Sequence, residues 1–74
     1  MNSIMLAVNQ YLKENNISSS FNDDEITISN SRYNLKYHDG FIYVYTINDD
    51  HFIFDEIDVN DPQSLDKILE IVKQ

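Results

Sequence analysis

The chain has 74 residues, with 13 acidic and five basic side chains for a net charge of −8, and it has no cysteine and one glycine. This length allows one domain with one modest core, and the composition excludes disulfides, a cysteine metal site and a glycine-rich phosphate loop. The acidic balance disfavours direct binding of nucleic acid or of an anionic membrane, and it favours a partner protein with a basic surface.

The N-terminal sequence has no basic segment followed by a long apolar run, so we expect no signal peptide. No apolar stretch approaches the ~20 residues that span a membrane. The chain is rich in Asn, Ile, Asp and Tyr, which is typical of an AT-rich genome. We therefore expect one domain over residues 1–74 in the cytoplasm of a bacterial cell, encoded by the bacterium or by a phage.

The N-terminal segment predicts an amphipathic helix over residues 3–14. Ser3 is a suitable cap, and Ile4, Val8 and Leu12 recur every four residues as an apolar stripe. The Asn pair that follows tolerates the left-handed conformation and so ends the helix. The next segment, residues 17–21, is either a short edge strand or an extended connector.

Two turns organise the middle of the chain. Asp39-Gly40 lies between aromatic and β-branched runs and is a strong signal for a two-residue hairpin. Asn30-Ser31 is a weaker candidate for the same kind of turn. Both turns place one apolar set on the same face, which is expected to be the core face. That set is Ile26, Ile28, Tyr33, Leu35, Tyr37, Ile42 and Val44.

The last strand is predicted over residues 51–55, after a turn at Asn48-Asp49-Asp50. A three-residue loop would put Phe52 and Phe54 on the core face, whereas a loop of two or four residues would put Ile53 there. Burial of two phenylalanines is worth more than burial of one isoleucine, so the three-residue loop is favoured. The acidic residues 55–60 are then expected to form a connector.

A second amphipathic helix is predicted over residues 62–73, with Asp61 as its cap and Pro62 in its first turn. Its apolar stripe is Leu65, Ile68, Leu69 and Val72. The expected fold is therefore an α+β domain: a four-stranded antiparallel meander with the N-terminal and C-terminal helices packed on one face.

The chain lacks the residue combinations that catalysis or metal binding requires. His38 and His51 flank opposite ends of the central strands, too far apart to share a substrate or a metal ion. No serine lies in a nucleophile-elbow pattern, and the acidic run 49–61 lacks the ligand spacing and central glycine of an EF-hand loop. We expect no enzymatic activity, no metal and no cofactor.

Carboxylates are predicted to gather at one end of the sheet, because alternate turns of a meander lie at the same end. The acidic residues concerned are Asp23, Asp24, Glu25, Asp39, Asp55, Glu56 and Asp58. Neighbouring strands lie about 4.8 Å apart, so this acidic edge would be on the order of 15 Å wide. The alternative explanation is that turns and strand ends favour Asp whatever the function.

The predicted register also puts Phe41, Tyr43 and Tyr45 on the face opposite the core, with Ile53 as a fourth member. Either the segment 17–21 or a chain terminus covers this aromatic stripe, or the stripe is a protein interface. Aromatic residues on a sheet also suggest base stacking, but the scarcity of basic residues argues against it.

In size, charge and composition the chain resembles small acidic phage-encoded inhibitors, although no motif carries the resemblance. Some of these inhibitors occupy the nucleic-acid groove of a host defence or DNA-processing enzyme. The leading hypothesis is a non-enzymatic protein that mimics nucleic acid and docks its acidic edge on a basic site of a partner protein. The alternative is a small dimeric structural or adaptor module that uses the aromatic stripe as its interface.

Overall fold

A computed structural model describes residues 2–47 and 52–74. The elements in chain order are α1 (Ser3–Glu14), β1 (Ser19–Asn22), β2 (Glu25–Ile28), β3 (Tyr33–His38), β4 (Phe41–Thr46), β5 (Ile53–Asp58) and α2 (Ser64–Val72). The strands form one antiparallel sheet in the order β1-β2-β3-β4-β5. The predicted α+β class with its two terminal helices is confirmed, but the sheet has five strands and not four.

The fifth strand is β1. It overlaps residues 17–21, for which the sequence predicted either a short edge strand or an extended connector. It pairs with β2 through a tight hairpin in which Phe21 lies opposite Ile26. Asp23 closes this hairpin with a φ of 52°, a conformation that Asp adopts more readily than most residues. Because Ser-Ser-Phe-Asn has a weak strand propensity of its own, its backbone pairing with β2 makes it a strand.

Helix α1 begins and ends near the predicted residues, but its cap is Asn2 and not Ser3. The Asn2 Oδ1 atom accepts hydrogen bonds from the backbone N–H groups of Ile4 and Met5, at 3.0 and 3.2 Å. These bonds satisfy two of the N–H groups that a helix start leaves without an intrahelical partner. At the other end, Asn16 has a φ of 65° and terminates the helix as expected.

The register of the central strands follows the prediction. Leu35 lies opposite Val44 and Tyr37 opposite Ile42, across the Asp39-Gly40 turn. Ile26 lies opposite Leu35, also as predicted. The predicted pair of Ile28 and Tyr33 does not form, because the chain between β2 and β3 runs over residues 29–32 and not through a two-residue turn.

An asparagine side chain takes the place of that missing pair. The Ile28 N–H donates to Asn34 Oδ1 at 3.1 Å, so the backbone group is satisfied without a ladder bond. Ile28 and Tyr33 are still buried, and they still belong to the core face. The core prediction therefore survives an error in the turn.

Strand β5 departs most from the prediction. It runs over Ile53–Asp58, so the acidic residues expected to form a connector are part of the strand. Phe52 and Phe54 are 52% and 44% exposed, and Ile57 is the buried residue, directly opposite Ile42. A bulge between Val44 and Tyr45 leaves Phe54 without a directly opposed residue, but its ring contacts that of the buried Tyr33, with the ring centroids 4.8 Å apart. The predicted turn at residues 48–50 and His51 lie outside the described residues.

Helix α2 starts at Ser64, two residues later than predicted. Asp61 caps the turn before it, where its Oδ1 accepts from the Gln63 N–H at 2.9 Å. Ile68, Ile71 and Val72 are buried, whereas Leu65 and Leu69 pack at the border of the core.

Both helices pack on the same face of the sheet, α1 on β1 and β2 and α2 on β5. Both also begin at the same end of the sheet. Asn2, which precedes α1, donates from Nδ2 to Asp24 Oδ1 at 3.1 Å, and Val59, shortly before α2, donates from N–H to the Gly40 carbonyl at 3.1 Å. Neither helix in the described part of the chain has the length and apolar character needed to cross a membrane.

Candidate interaction surfaces: an acidic end and an open sheet face

The β1–β2 and β3–β4 turns and the last residue of β5 meet at one end of the sheet, which we call the acidic end. Its side chains are Asp23, Asp24, Glu25, Asp39 and Asp58. Asp23 and Asp39 both have positive φ, at 52° and 54°. Turn geometry alone therefore favours Asp at these two positions, which agrees with the alternative explanation that turns favour Asp whatever the function.

Asp55 and Glu56 do not lie at the acidic end, and the sequence prediction placed them wrongly. Because β5 continues to Asp58, Asp55 lies opposite Val44 and Glu56 opposite Tyr43, in the middle of the strand. The two carboxylates therefore project from opposite faces of the edge strand.

Several of the predicted site carboxylates have a local structural role. Asp24 accepts from the Asn2 side chain at 3.1 Å. Asp58 accepts from the Asn60 N–H at 2.9 Å, and Asp55 accepts from the neighbouring Glu56 N–H at 2.8 Å. Sequence reasoning did not assign these roles.

The helix starts at the acidic end offset part of its negative charge. The N-terminus of a helix carries a partial positive charge, and two helices begin beside these carboxylates. One shallow polar groove of about 560 Å³ lies here, between the start of α1 and the first hairpin, and Asn2, Ser3, Asp24 and Tyr37 are among the residues that line it.

Three of the five basic residues lie toward the opposite end of the molecule. Arg32 shares a groove there with the C-terminal Gln74, and Lys73 lines a second groove with Asn30. Lys13 is in the last turn of α1, which runs away from the acidic end. These three basic side chains therefore lie away from the acidic end, near Glu14 and Glu70 in the last turns of the two helices. Lys36, by contrast, lies opposite Glu25 of the acidic end.

Lys67 belongs neither to the acidic end nor to the basic residues at the opposite end, because it pairs with Asp61. Its Nζ lies 2.5 Å from Asp61 Oδ2. The hydrogen bond lowers the pKa of Asp61 and raises the pKa of Lys67, and the charge of Asp55 raises the Lys67 pKa further. On the helix side of the molecule, the Tyr11 hydroxyl donates to Asp66 Oδ1 at 2.8 Å, and this bond raises the pKa of Tyr11.

The face of the sheet opposite the helices carries the predicted aromatic stripe, and we call it the open face. Phe41 and Ile53 are 38% and 43% exposed, and Tyr43 and Tyr45 are half-buried between their neighbours. A shallow groove of about 350 Å³ runs along Tyr43, Tyr45 and Ile53. The Tyr45 hydroxyl donates to Glu25 Oε2 at 3.1 Å across this groove.

The segment 17–21 does not cover the aromatic stripe. It enters the sheet as an edge strand, and Phe21, directly opposite the fully buried Ile26, lies on the core face. Within the described residues, the stripe is left to solvent or to a partner.

Charged residues flank the stripe in an ordered way. The strand pairing puts Lys36, Tyr43 and Glu56 in one row across β3, β4 and β5. His38, Phe41 and Asp58 form the next row. The β3 side of the stripe therefore carries Lys36 and His38, with Glu25 of β2 directly beside Lys36, and the β5 side carries two carboxylates.

No group of three or more His, Cys, Asp or Glu side chains in residues 2–47 and 52–74 is arranged to hold a metal ion. His38 ends β3 opposite Phe41. The second histidine considered in the sequence, His51, lies among the residues that the structure leaves undescribed.

Comparison with known proteins finds no matching family model, no matching curated protein and no matching solved structure.

Proposed function

We propose that this protein is a non-enzymatic binding protein that docks its acidic end on a basic, nucleic-acid-binding site of a partner protein. The observation that supports this proposal is the gathering of five carboxylates at one end of the sheet, while Lys13, Arg32 and Lys73 lie toward the other. A protein with this charge separation approaches a basic groove with its acidic end first, because long-range electrostatic attraction orients the encounter.

The spacing of the charges also suits a site built for nucleic acid. Strands β2 to β5 span three spacings of about 4.8 Å, so the five carboxylates, three of them consecutive at the β1–β2 hairpin, lie along roughly 15 Å, an average of about one charge per 3 Å. One strand of DNA carries a charge about every 3.4 Å along its axis. A groove that accommodates a phosphate backbone therefore meets a similar density of negative charge at the acidic end.

Asp23 and Asp39 are the most informative residues for a test. Neither carboxylate makes a hydrogen bond within the described part of the chain, so neither is needed to hold the fold together. Both have positive φ, which Asn also tolerates well. The variant D23N/D39N therefore removes two charges from the acidic end at little cost in backbone strain.

The matched control is E14Q/E70Q, which removes two charges from exposed helical positions. Both variants and the wild type are used to capture proteins from a bacterial lysate at roughly 0.05 M and 0.5 M salt, since salt screens exposed charges. We expect wild type and control to retain the same partner at low salt, and D23N/D39N to lose it. Duplex DNA or RNA should compete for the captured partner. Equal capture by both variants, or capture unaffected by salt and nucleic acid, would overturn the proposal.

A second candidate function is favoured by a separate observation, the exposed aromatic stripe. Phe41, Tyr43, Tyr45 and Ile53 lie side by side on a face that no described element covers. Exposed aromatic patches of this kind mark protein interfaces. We propose an adaptor or structural role for this face, which is compatible with docking through the acidic end because the two surfaces differ.

A further inference from the structure

We propose that the open face binds a second copy of this chain, in a two-fold dimer whose axis runs parallel to the strands and passes over β4. This inference rests on the second candidate function and specifies its partner. The charge pattern of the open face is complementary to itself when two copies face each other in this arrangement.

A two-fold axis parallel to β4, placed between two facing sheets, exchanges the two sides of the stripe. The β3 side of one copy then lies over the β5 side of the other. Within the row Lys36, Tyr43 and Glu56, Lys36 of one copy faces Glu56 of the second copy, and Tyr43 faces its own equivalent.

The neighbouring row repeats the pattern. His38 of one copy faces Asp58 of the second copy, and Phe41 faces its own equivalent. The two-fold symmetry produces each pair twice, so one dimer contains two Lys36–Glu56 contacts around an aromatic centre. Glu25, the other carboxylate of the open face, is held by the Tyr45 hydroxyl of its own chain.

The alternative face-to-face axis, perpendicular to the strands, does not give this complementarity. It would lay β3 over β3 and β5 over β5, so that Glu56 and Asp58 of the two copies would share one side of the interface. Like charges brought together in this way disfavour an assembly. The positions of Lys36 and Glu56 therefore select the parallel axis.

The dimensions of facing sheets permit these contacts. Packed sheets lie about 10 Å apart, a gap that facing Lys and Glu side chains bridge. Packed sheets also rotate by about 30° relative to each other, and Lys36 lies only one strand, about 4.8 Å, from the axis. The rotation therefore displaces the charges by about 2 Å, which a lysine side chain can follow.

The face is small, so the dimer is expected to be weak. Four strands of up to six residues project an area of roughly 15 by 20 Å. Such an area, about 300 Å² per copy, is well below the roughly 800 Å² per partner of standard stable interfaces. The axis preserves strand direction, so the two acidic ends lie at the same end of the dimer, and repulsion between them is a further reason to expect weak association.

The test exchanges the two charges between chains. K36E puts Glu opposite Glu56 of the second copy, and E56K puts Lys opposite Lys36, so each variant alone replaces two attractive contacts by repulsive ones. An equimolar mixture of K36E and E56K restores opposite charges at both contacts. Sedimentation over about 10 μM to 1 mM protein measures each dissociation constant. The controls are K13E and E70K, which make the same changes of net charge on exposed helical positions.

We expect wild type to dimerise and each single variant to raise the dissociation constant about tenfold or more. The mixture should form a heterodimer of near wild-type affinity, and K13E, E70K and their mixture should behave alike. A monomeric wild type over the whole range would overturn the proposal, as would a mixture no better than its components. This readout needs no heterologous partner, so its failure is distinct from failure of docking at the acidic end.

A second measurement uses only wild-type sequence and covers the case in which a variant does not fold. Zero-length carbodiimide cross-linking joins amines to carboxylates in contact, and mixing isotopically light and heavy chains identifies links between copies. A Lys36–Glu56 link between light and heavy chains is expected. A dimer cross-linked only through other pairs would refute the proposed axis.

Discussion

Ile57 is expected to be a core residue, although it lies in an acidic stretch that resembles a connector. Its side chain is 3% exposed, directly opposite Ile42 and on the face against which α2 packs. Phe52, which the sequence placed in the core, is 52% exposed. The pair of substitutions Ile57→Ala and Phe52→Ala therefore compares the structure with the pattern-based prediction.

The magnitude follows from burial. Ile57→Ala removes three buried carbons and leaves a cavity, which typically costs about 2–5 kcal/mol. A chain of 74 residues has a total unfolding free energy of roughly 4–11 kcal/mol, at about 0.05–0.15 kcal/mol per residue. The substitution should therefore remove a large part of the stability and lower the Tm by on the order of 10–40 °C. Phe52→Ala should cost roughly 1 kcal/mol or less, because half of the side chain already contacts water.

Urea and thermal unfolding followed by circular dichroism measure both substitutions. Ile57→Val serves as a graded control, with an expected cost of about 0.5–1.5 kcal/mol. If Phe52→Ala destabilises the protein more than Ile57→Ala does, then the position of β5 and the reasoning from its register are wrong.

Two further predictions concern local features. Asn2→Ala should lower the unfolding free energy by about 0.5–2 kcal/mol, because it leaves the Ile4 and Met5 N–H groups without their side-chain acceptor. Ser3→Ala should have a smaller effect, and a larger loss for Ser3→Ala in urea unfolding would show that Ser3 is the cap. The Asp61–Lys67 pair should stabilise the fold at pH values above the ordinary Asp pKa of 3.8, and this contribution should disappear as the pH falls through the lowered pKa of Asp61. The effect should be small because both side chains are at least partly exposed. Asp61→Asn should reduce the loss of Tm between pH 5 and pH 2, and an unchanged acid limb would contradict the assignment.

Features coded by neighbouring residues could be predicted from sequence. The apolar stripe and the Asn residues around α1 delimit its range because helical period and chain termination are local properties. The Asp39-Gly40 turn determines the pairing of Leu35 with Val44 because a two-residue loop allows one register. From that register followed the buried face and the aromatic stripe on the opposite face. The acidic end was predicted in part, through turns that a meander must place together.

Features that depend on contact between distant segments were decided by the tertiary structure. The residues of β1 form a strand because they pair with the edge of β2. The sequence Ser-Ser-Phe-Asn alone does not predict a strand. Strand β5 buries only Ile57, so its exposed edge carries acidic residues and lacks the alternation that marks a half-buried strand. Only the packing of both helices on one face leaves the other face open and puts both helix starts beside the carboxylates. Each of these outcomes depends on which surfaces remain after distant elements have packed, and no local pattern contains that information.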